Sequence, residues 1–206
     1  MEQKIISSDP KVFTIDNFFS EEDCNHLVSI SSNKMTRAMV SGEKSGFVSP
    51  GRTGYNCWIA HYHDEKTRRI GEKIAKMVGL PLHNAEQFQM IRYGENQEYR
   101  QHYDGWVHDG SEKSLRNMSW GGQRLWTALG YLNTVEKGGE TRFTNLKVNV
   151  KAIKGRLLIF ANTYVGTNDR HDLTEHAGMP VLKGEKIAFN LWFREESTKI
   201  QYKTLH

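Results

Sequence analysis

Lys186-Ile187-Ala188-Phe189-Asn190-Leu191-Trp192-Phe193 decides how this chain folds. Successive side chains of a strand point to opposite faces, so the segment has two different sides. Ile187, Phe189, Leu191 and Phe193 make one strongly apolar face, while Lys186, Ala188, Asn190 and Trp192 make the other. The apolar face calls for helices to cover it. The second face then looks inward, placing the Lys186 ammonium in a cavity where it needs an anionic partner.

Working outward from this strand, the chain supplies such helices near its beginning. A short alternating segment, Val12 to Ile15, leads to Ser20, a fitting N-cap with acids in the first turn behind it. Cys24, Leu27, Val28 and Ser31 then share one helical face. A second helix starts at Asp64, repeats Ile70, Ile74, Met77 and Val78 at helical spacing, and stops at Gly79 and Pro81. From Glu86 onward strands dominate, over Glu86 to Tyr93, Tyr99 to Asp104, Leu125 to Asn133 and Leu157 to Phe160, with a hairpin or longer bend over Tyr131 to Phe143. Two stretches, Lys34 to Asn56 and Gly105 to Gln123, are rich in turn residues and read as loops, the second lying beside the candidate chemistry. Helices first and antiparallel strands later give an α+β class, a sheet sandwich or jelly roll with supporting helices on one face.

The 206 residues suffice to bury a core, and the turn spacing favours one β-rich domain spanning 1–206, with helical support over about 12–85 and a jelly-roll core over about 86–195. The 28 Lys+Arg against 24 Asp+Glu leave a net charge of only +4, scattered along the chain, which argues against a nucleic-acid partner. Cys24 and Cys57 form no disulfide or metal spacing and suit a reducing compartment. Neither a secretory leader nor a bilayer-crossing run is present, so a cytoplasmic location without membrane association is expected. Nothing in the sequence fixes an oligomeric state.

The chemistry concentrates at His102-Tyr103-Asp104. Alternation within a strand sends His102 and Asp104 to the same face and Tyr103 away. A second imidazole would complete two nitrogens and one carboxylate around a metal such as Fe(II), leaving positions open for a co-substrate and oxygen. His171 and His176 are both candidates, and Lys186 follows His176 by ten residues. By contrast, His61, His63 and Asp64 sit at a helix entrance, where solvated polar groups are expected, and His108-Asp109 reads as surface.

On these residues the chain resembles the prolyl 4-hydroxylase branch of the Fe(II)- and 2-oxoglutarate-dependent dioxygenases, over about Val12 to Arg194. The run from Phe13 to Cys24 looks like that family's first strand and helix, and Arg52-Thr53 like its loop pair. Ile91-Arg92-Tyr93 with Tyr99-Arg100-Gln101-His102-Tyr103-Asp104 is similar to its first metal strand. Tyr131-Leu132-Asn133 through Gly138-Gly139-Glu140-Thr141 resembles its central hairpin, and His176-Ala177-Gly178-Met179-Pro180-Val181 its second metal segment.

The resemblance implies a double-stranded β-helix with His102, Asp104 and His176 as catalytic Fe(II) ligands. It also implies Lys186 on the far carboxylate of 2-oxoglutarate, with Thr127, Tyr131 and Tyr93 binding the same co-substrate. Tyr99, Trp192 and Arg194 match positions near the substrate groove. The implied reaction takes O2 and 2-oxoglutarate to succinate and carbon dioxide and leaves a hydroxyl on an amino-acid residue, peptidyl proline first, with ascorbate as accessory reductant. Two departures stand out: the segment between Asp104 and Thr127 is short, and Met179 stands where cysteine is common. The rivals are hydroxylation of a free amino acid or other small molecule on the same iron, a Zn-dependent hydrolase on the same ligands, and a non-catalytic jelly-roll binding module.

Overall fold

The strand expected at 186–193 forms as Lys186–Arg194, and its two faces look into two separate parts of the interior. The structure, a computed structural model, describes residues 2–42 and 44–198. Its first half runs β1 (Lys4–Ser8), β2 (Lys11–Ile15), α1 (Glu21–Ser31), β3 (Thr36–Arg37), β4 (Val40–Ser41), β5 (Gly46–Phe47), β6 (Tyr55–Ile59) and α2 (Glu65–Val78). The sequence continues with β7 (Phe88–Tyr93), β8 (Tyr99–His102), α3 (Glu112–Met118), β9 (Arg124–Tyr131), β10 (Lys137–Gly138), β11 (Thr141–Phe143) and β12 (Val148–Val150). It closes with β13 (Leu157–Ala161), β14 (His176–Gly178), β15 (Val181–Lys183) and β16 (Lys186–Arg194).

Eight strands make the major sheet, in the order β1-β2-β13-β9-β16-β7-β6-β3, and four make the minor sheet, β12-β11-β14-β8. Ile15, Phe189, Leu191 and Phe193 pack on the helix-facing side of the major sheet with Cys24 and Leu27 of α1 and Ile70 and Ile74 of α2. On its other side, Leu129, Tyr131, Phe160 and Ala188 meet Phe143 and Val150 of the minor sheet. The result is the expected jelly-roll core, with α1 and α2 together on one face. Among the described residues no helix is long and apolar enough to cross a membrane.

Local chemistry explains where the helices begin and end. The Ser20 hydroxyl accepts from the Asp23 amide at 3.0 Å, and the Asp64 carboxylate accepts from the Thr67 amide at 2.8 Å, each within a capping box. Gly79 ends α2 at φ +74°, a backbone region that glycine enters without a Cβ clash. Gly130 answers a packing need instead. A Cβ there would lie 2.3 Å from the Phe189 ring, its cross-strand neighbour, so the bare glycine lets that ring reach the helices.

Four sequence expectations need correction. Lys34 to Asn56 is not a loop throughout, because β3 pairs with β6 at the sheet edge and β4 with β5 in a small ribbon. Gly105 to Gln123 contains α3, whose N-cap Ser111 accepts from the Ser114 amide at 3.2 Å. The strand read as Tyr99 to Asp104 ends at His102, leaving Asp104 just beyond it. His61 is not solvated but only 1% exposed, with Nε2 2.5 Å from the Glu86 carbonyl.

Candidate active site

Two short strands of the minor sheet bring two of the sequence candidates face to face. His176 of β14 lies in register with His102 of β8, their ring centres 4.3 Å apart. Asp104 completes the cluster from the chain just past β8, with Oδ1 3.7 Å from Nε2 of His102 and Oδ2 3.6 Å from Nε2 of His176. One donor atom from each of the three lies within 4.8 Å of the others, and among the described residues this is the group of His, Cys, Asp and Glu side chains that could hold a metal ion.

The proton positions follow from the neighbours. Nδ1 of His102 lies 2.8 Å from the Arg100 carbonyl and Nδ1 of His176 2.9 Å from the Thr174 carbonyl. A carbonyl can only accept, so each Nδ1 carries a hydrogen and each ring is left with its Nε2 turned toward Asp104. Burial keeps His102 neutral far below the ordinary imidazole range, helped by the neighbouring His176. Burial by itself would raise the Asp104 pKa, but His176, His102 and Arg124 outweigh it and hold the carboxyl ionised. Two imidazoles and one carboxylate form a donor set suited to Fe(II) with open positions.

Asp104 is further oriented by β9. The Thr127 hydroxyl donates to its Oδ2 at 2.8 Å, and the Asn162 amide donates to the Thr127 oxygen at 2.9 Å. Thr127, which the resemblance placed on the co-substrate, gives its hydroxyl hydrogen to the carboxylate in this structure. Asn162 escapes the sequence reading, although a polar residue two positions beyond Phe160, at the inward parity of Leu158 and Phe160, is its signal.

Lys186 lies on the inward face of β16 and is only 3% exposed. Its Nζ sits 5.4 Å from the centre of the Tyr131 ring, and no carboxylate among the described residues comes within ion-pair distance. Burial pulls its pKa down to about 8, with Glu140 acting in the opposite sense. A buried ammonium of this kind fits the anionic end of a dicarboxylate. Tyr93 pairs with Lys186 across the β7–β16 ladder, and Tyr131 donates to the Thr141 hydroxyl at 2.8 Å, both in the interior between the sheets.

A cavity of about 1220 Å³ opens over the cluster, lined in part by Tyr99, Trp192, Trp58 and Trp106 together with His102 and Asp104. Tyr99 stacks on His102 with ring centres 3.6 Å apart, and the Arg52 guanidinium lies 4.6 Å from its ring. Trp192 faces the cavity beneath the Arg124 guanidinium, 3.7 Å from its ring centre. Arg194, expected near the groove, is not itself in the lining but touches Asn117, which is. The register shifts between Phe193 and Arg194, and its Nε donates to Glu86 at 2.7 Å while Nη1 donates to the Asn117 and Gly122 carbonyls. Glu86 also accepts from Nε and Nη2 of Arg124, at 2.6 and 2.8 Å. No sequence period marks Glu86 and Arg124, because their pairing joins segments 38 residues apart. His171 lies outside the cluster, with Nε2 3.2 Å from the Asp9 carboxylate.

Comparison with known proteins agrees with this geometry. Residues 88–194 match the family model described as the 2OG-Fe(II) oxygenase superfamily. An Acanthamoeba polyphaga mimivirus protein carrying the prolyl 4-hydroxylase name is 34% identical over 185 residues, 90% of this chain and 74% of its own length. Prolyl 4-hydroxylase 5 of Arabidopsis thaliana is 30% identical over 219 residues, 96% of this chain and 72% of that protein. The crystal structure of the viral collagen prolyl hydroxylase of Paramecium Bursaria Chlorella virus-1, as its 2OG complex, superposes with a TM-score of 0.71 at 30% identity. The match covers 89% of this chain and 94% of that one.

Proposed function

This chain belongs to the 2OG-Fe(II) oxygenase superfamily, and from that premise we propose that it hydroxylates proline residues of a peptide or protein, using Fe(II), 2-oxoglutarate and O2. The observation that carries the reading is the His102, Asp104 and His176 cluster, placed in the same sheet sandwich as the buried, anion-seeking Lys186. Family membership removes the ground for the hydrolase reading, which also gave an inward lysine no task.

When bound together, Fe(II), 2-oxoglutarate and O2 supply the oxidising power that replaces a carbon–hydrogen bond by a hydroxyl, with succinate and carbon dioxide as co-products. The protein supplies position and environment. His102 and His176 offer nitrogens whose direction is set by the Arg100 and Thr174 carbonyls. Asp104 offers an oxygen whose rotamer is held by Thr127. Lys186 would hold the distal carboxylate of the co-substrate. Phe143 and Phe160, with ring centres 5.6 and 4.9 Å from that of His176, keep water from its inner side. Tyr99, Trp58 and Trp192 give the cavity flat apolar walls of the kind that accept a pyrrolidine ring in an extended chain.

The reading carries its partners and setting with it. Ascorbate is the proposed accessory reductant, and the unpaired, buried Cys24 and Cys57 suit a reducing, cytoplasmic setting. The test is incubation with Fe(II), ascorbate, 2-oxoglutarate and proline-rich peptides, followed by mass spectrometry. Succinate release matched by a one-oxygen gain on proline is expected. Turnover confined to free amino acids would defeat the peptide claim and leave the oxygenase chemistry standing.

A further inference from the structure

The charges around the cavity are one-sided. Every charged side chain in its described lining except Asp104 is an arginine or a lysine. Asp104 is turned inward, 96% buried, against the two histidines and Thr127. The chain as a whole is nearly balanced, with 28 basic against 24 acidic residues, so the excess at this opening is local.

Pairing within the protein neutralises only part of it. Arg124 is matched by Glu86 and Arg100 by Glu98. Arg37, Lys113 and Arg170 have no carboxylate within ion-pair distance among the described residues. Arg37 gives Nη1 to the Gly54 carbonyl at 2.7 Å, and Lys113 lies 6.0 Å from the Trp106 ring centre. The Arg170 guanidinium lies over Tyr103, 3.8 Å from the ring centre, and its buried Nε has no hydrogen-bond partner among the described residues. These cations come from three separate regions of the chain, before β4, within α3 and ahead of β14, and they converge on one opening.

Cations lining a concave site focus the field in the space between them and select ligands of opposite sign. Resting on the proline-hydroxylase reading, we propose that the cavity is built for an acidic peptide, in which the target proline is flanked on both sides by aspartate or glutamate. Carboxylates before and after the proline would meet Arg37, Lys113 and Arg170, while the aromatic walls take the ring between them. A single-stranded nucleic acid also carries negative charge and stacks on aromatics. The family relatives named for prolyl hydroxylation favour the peptide.

The test compares three peptides sharing one proline-rich core with flanking Glu, Gln or Lys, assayed on the full chain with Fe(II), 2-oxoglutarate and ascorbate. The acidic peptide should give at least about a tenfold higher kcat/KM than the neutral one at low salt, and the gap should narrow at high salt. In K113E and R170E the preference should shrink or reverse, and the Lys-flanked peptide should gain. Equal kcat/KM for all three peptides would overturn the acidic preference while leaving proline hydroxylation intact. No turnover of any peptide, with oxidation of a single-stranded oligonucleotide instead, would overturn both. The wild-type comparison decides the matter even if the charge-reversal variants fold poorly.

Discussion

At the residue scale, Thr127 and Lys186 separate holding a metal from holding a co-substrate. Thr127→Val keeps the shape of the side chain and removes the hydrogen bond to Asp104. Outer hydrogen bonds to metal ligands typically contribute about 10- to 100-fold in metal affinity. Fe(II) titration of this variant should therefore show weaker binding with little change in fold, and unchanged affinity would mean that Asp104 is oriented without Thr127. Lys186→Met has two opposed effects. It should weaken 2-oxoglutarate binding by about 10- to 100-fold, the range of a charge-assisted hydrogen bond. It should also stabilise the unliganded protein, because the folded state has to bury an ammonium.

The sign of that second effect follows from the pKa of Lys186, about 8 when folded against the ordinary lysine value of 10.5. Between those values the unfolded chain binds more protons, so this group makes stability rise with pH from about 8 to 10.5. At neutral pH it costs the fold up to about 3 kcal/mol, the ceiling set by a shift of this size. Lys186→Met should accordingly raise Tm at pH 7 and flatten the alkaline rise in stability. Affinity for 2-oxoglutarate in the wild type should fall as pH climbs past about 8 and the ammonium is lost.

At the element scale, β16 and β9 were legible because alternation sorts their residues between two interiors that differ in chemistry. The inward parity of Thr127, Leu129 and Tyr131 and the outward parity of Phe189, Leu191 and Phe193 appear directly in the packing. What the sequence concealed has a physical reason in each case. β3, β4 and β5 are two residues each, too short to show a period, and they exist through pairing, β3 with β6 and β4 with β5. The short helix α3 is specified by its Ser111 cap inside a segment otherwise full of turn formers. The Glu86, Arg124 and Arg194 network is made by tertiary approach, which no local pattern encodes. Gly130 connects the two kinds of information, since its lack of a side chain is explained only by the ring of Phe189. Gly130→Ala should cost about 1–3 kcal/mol, the usual range for overpacking, read as a lower denaturation midpoint. An unchanged midpoint would mean that the ring can move aside.

At the scale of the whole molecule, acid stability should report on burial away from the site. His61 is 99% buried, and burial lowers its pKa to about 4, against the Glu86 carbonyl that acts the other way. Between pH 6.5 and 4 the unfolded state takes up a proton that the folded state refuses, so stability falls as pH drops through this window and levels off below it. The loss is about 3 kcal/mol at most. Urea unfolding at pH 7 and pH 4 should show a shallower acid loss in His61→Gln than in the wild type. Equal losses would assign the acid sensitivity to other groups.

The register pairing of His102 with His176 gives the proposed metal a mechanical task as well as a chemical one. β8 and β14 are only four and three residues long, and the ladder between them is irregular. An ion held by one side chain from each would act as a rivet through the smaller sheet, while the larger sheet stands on its own core. Loading with iron should then slow amide exchange in β8, β11 and β14 far more than in β9, β13 and β16. The protein would be stiffest at its mouth only when it is equipped to react.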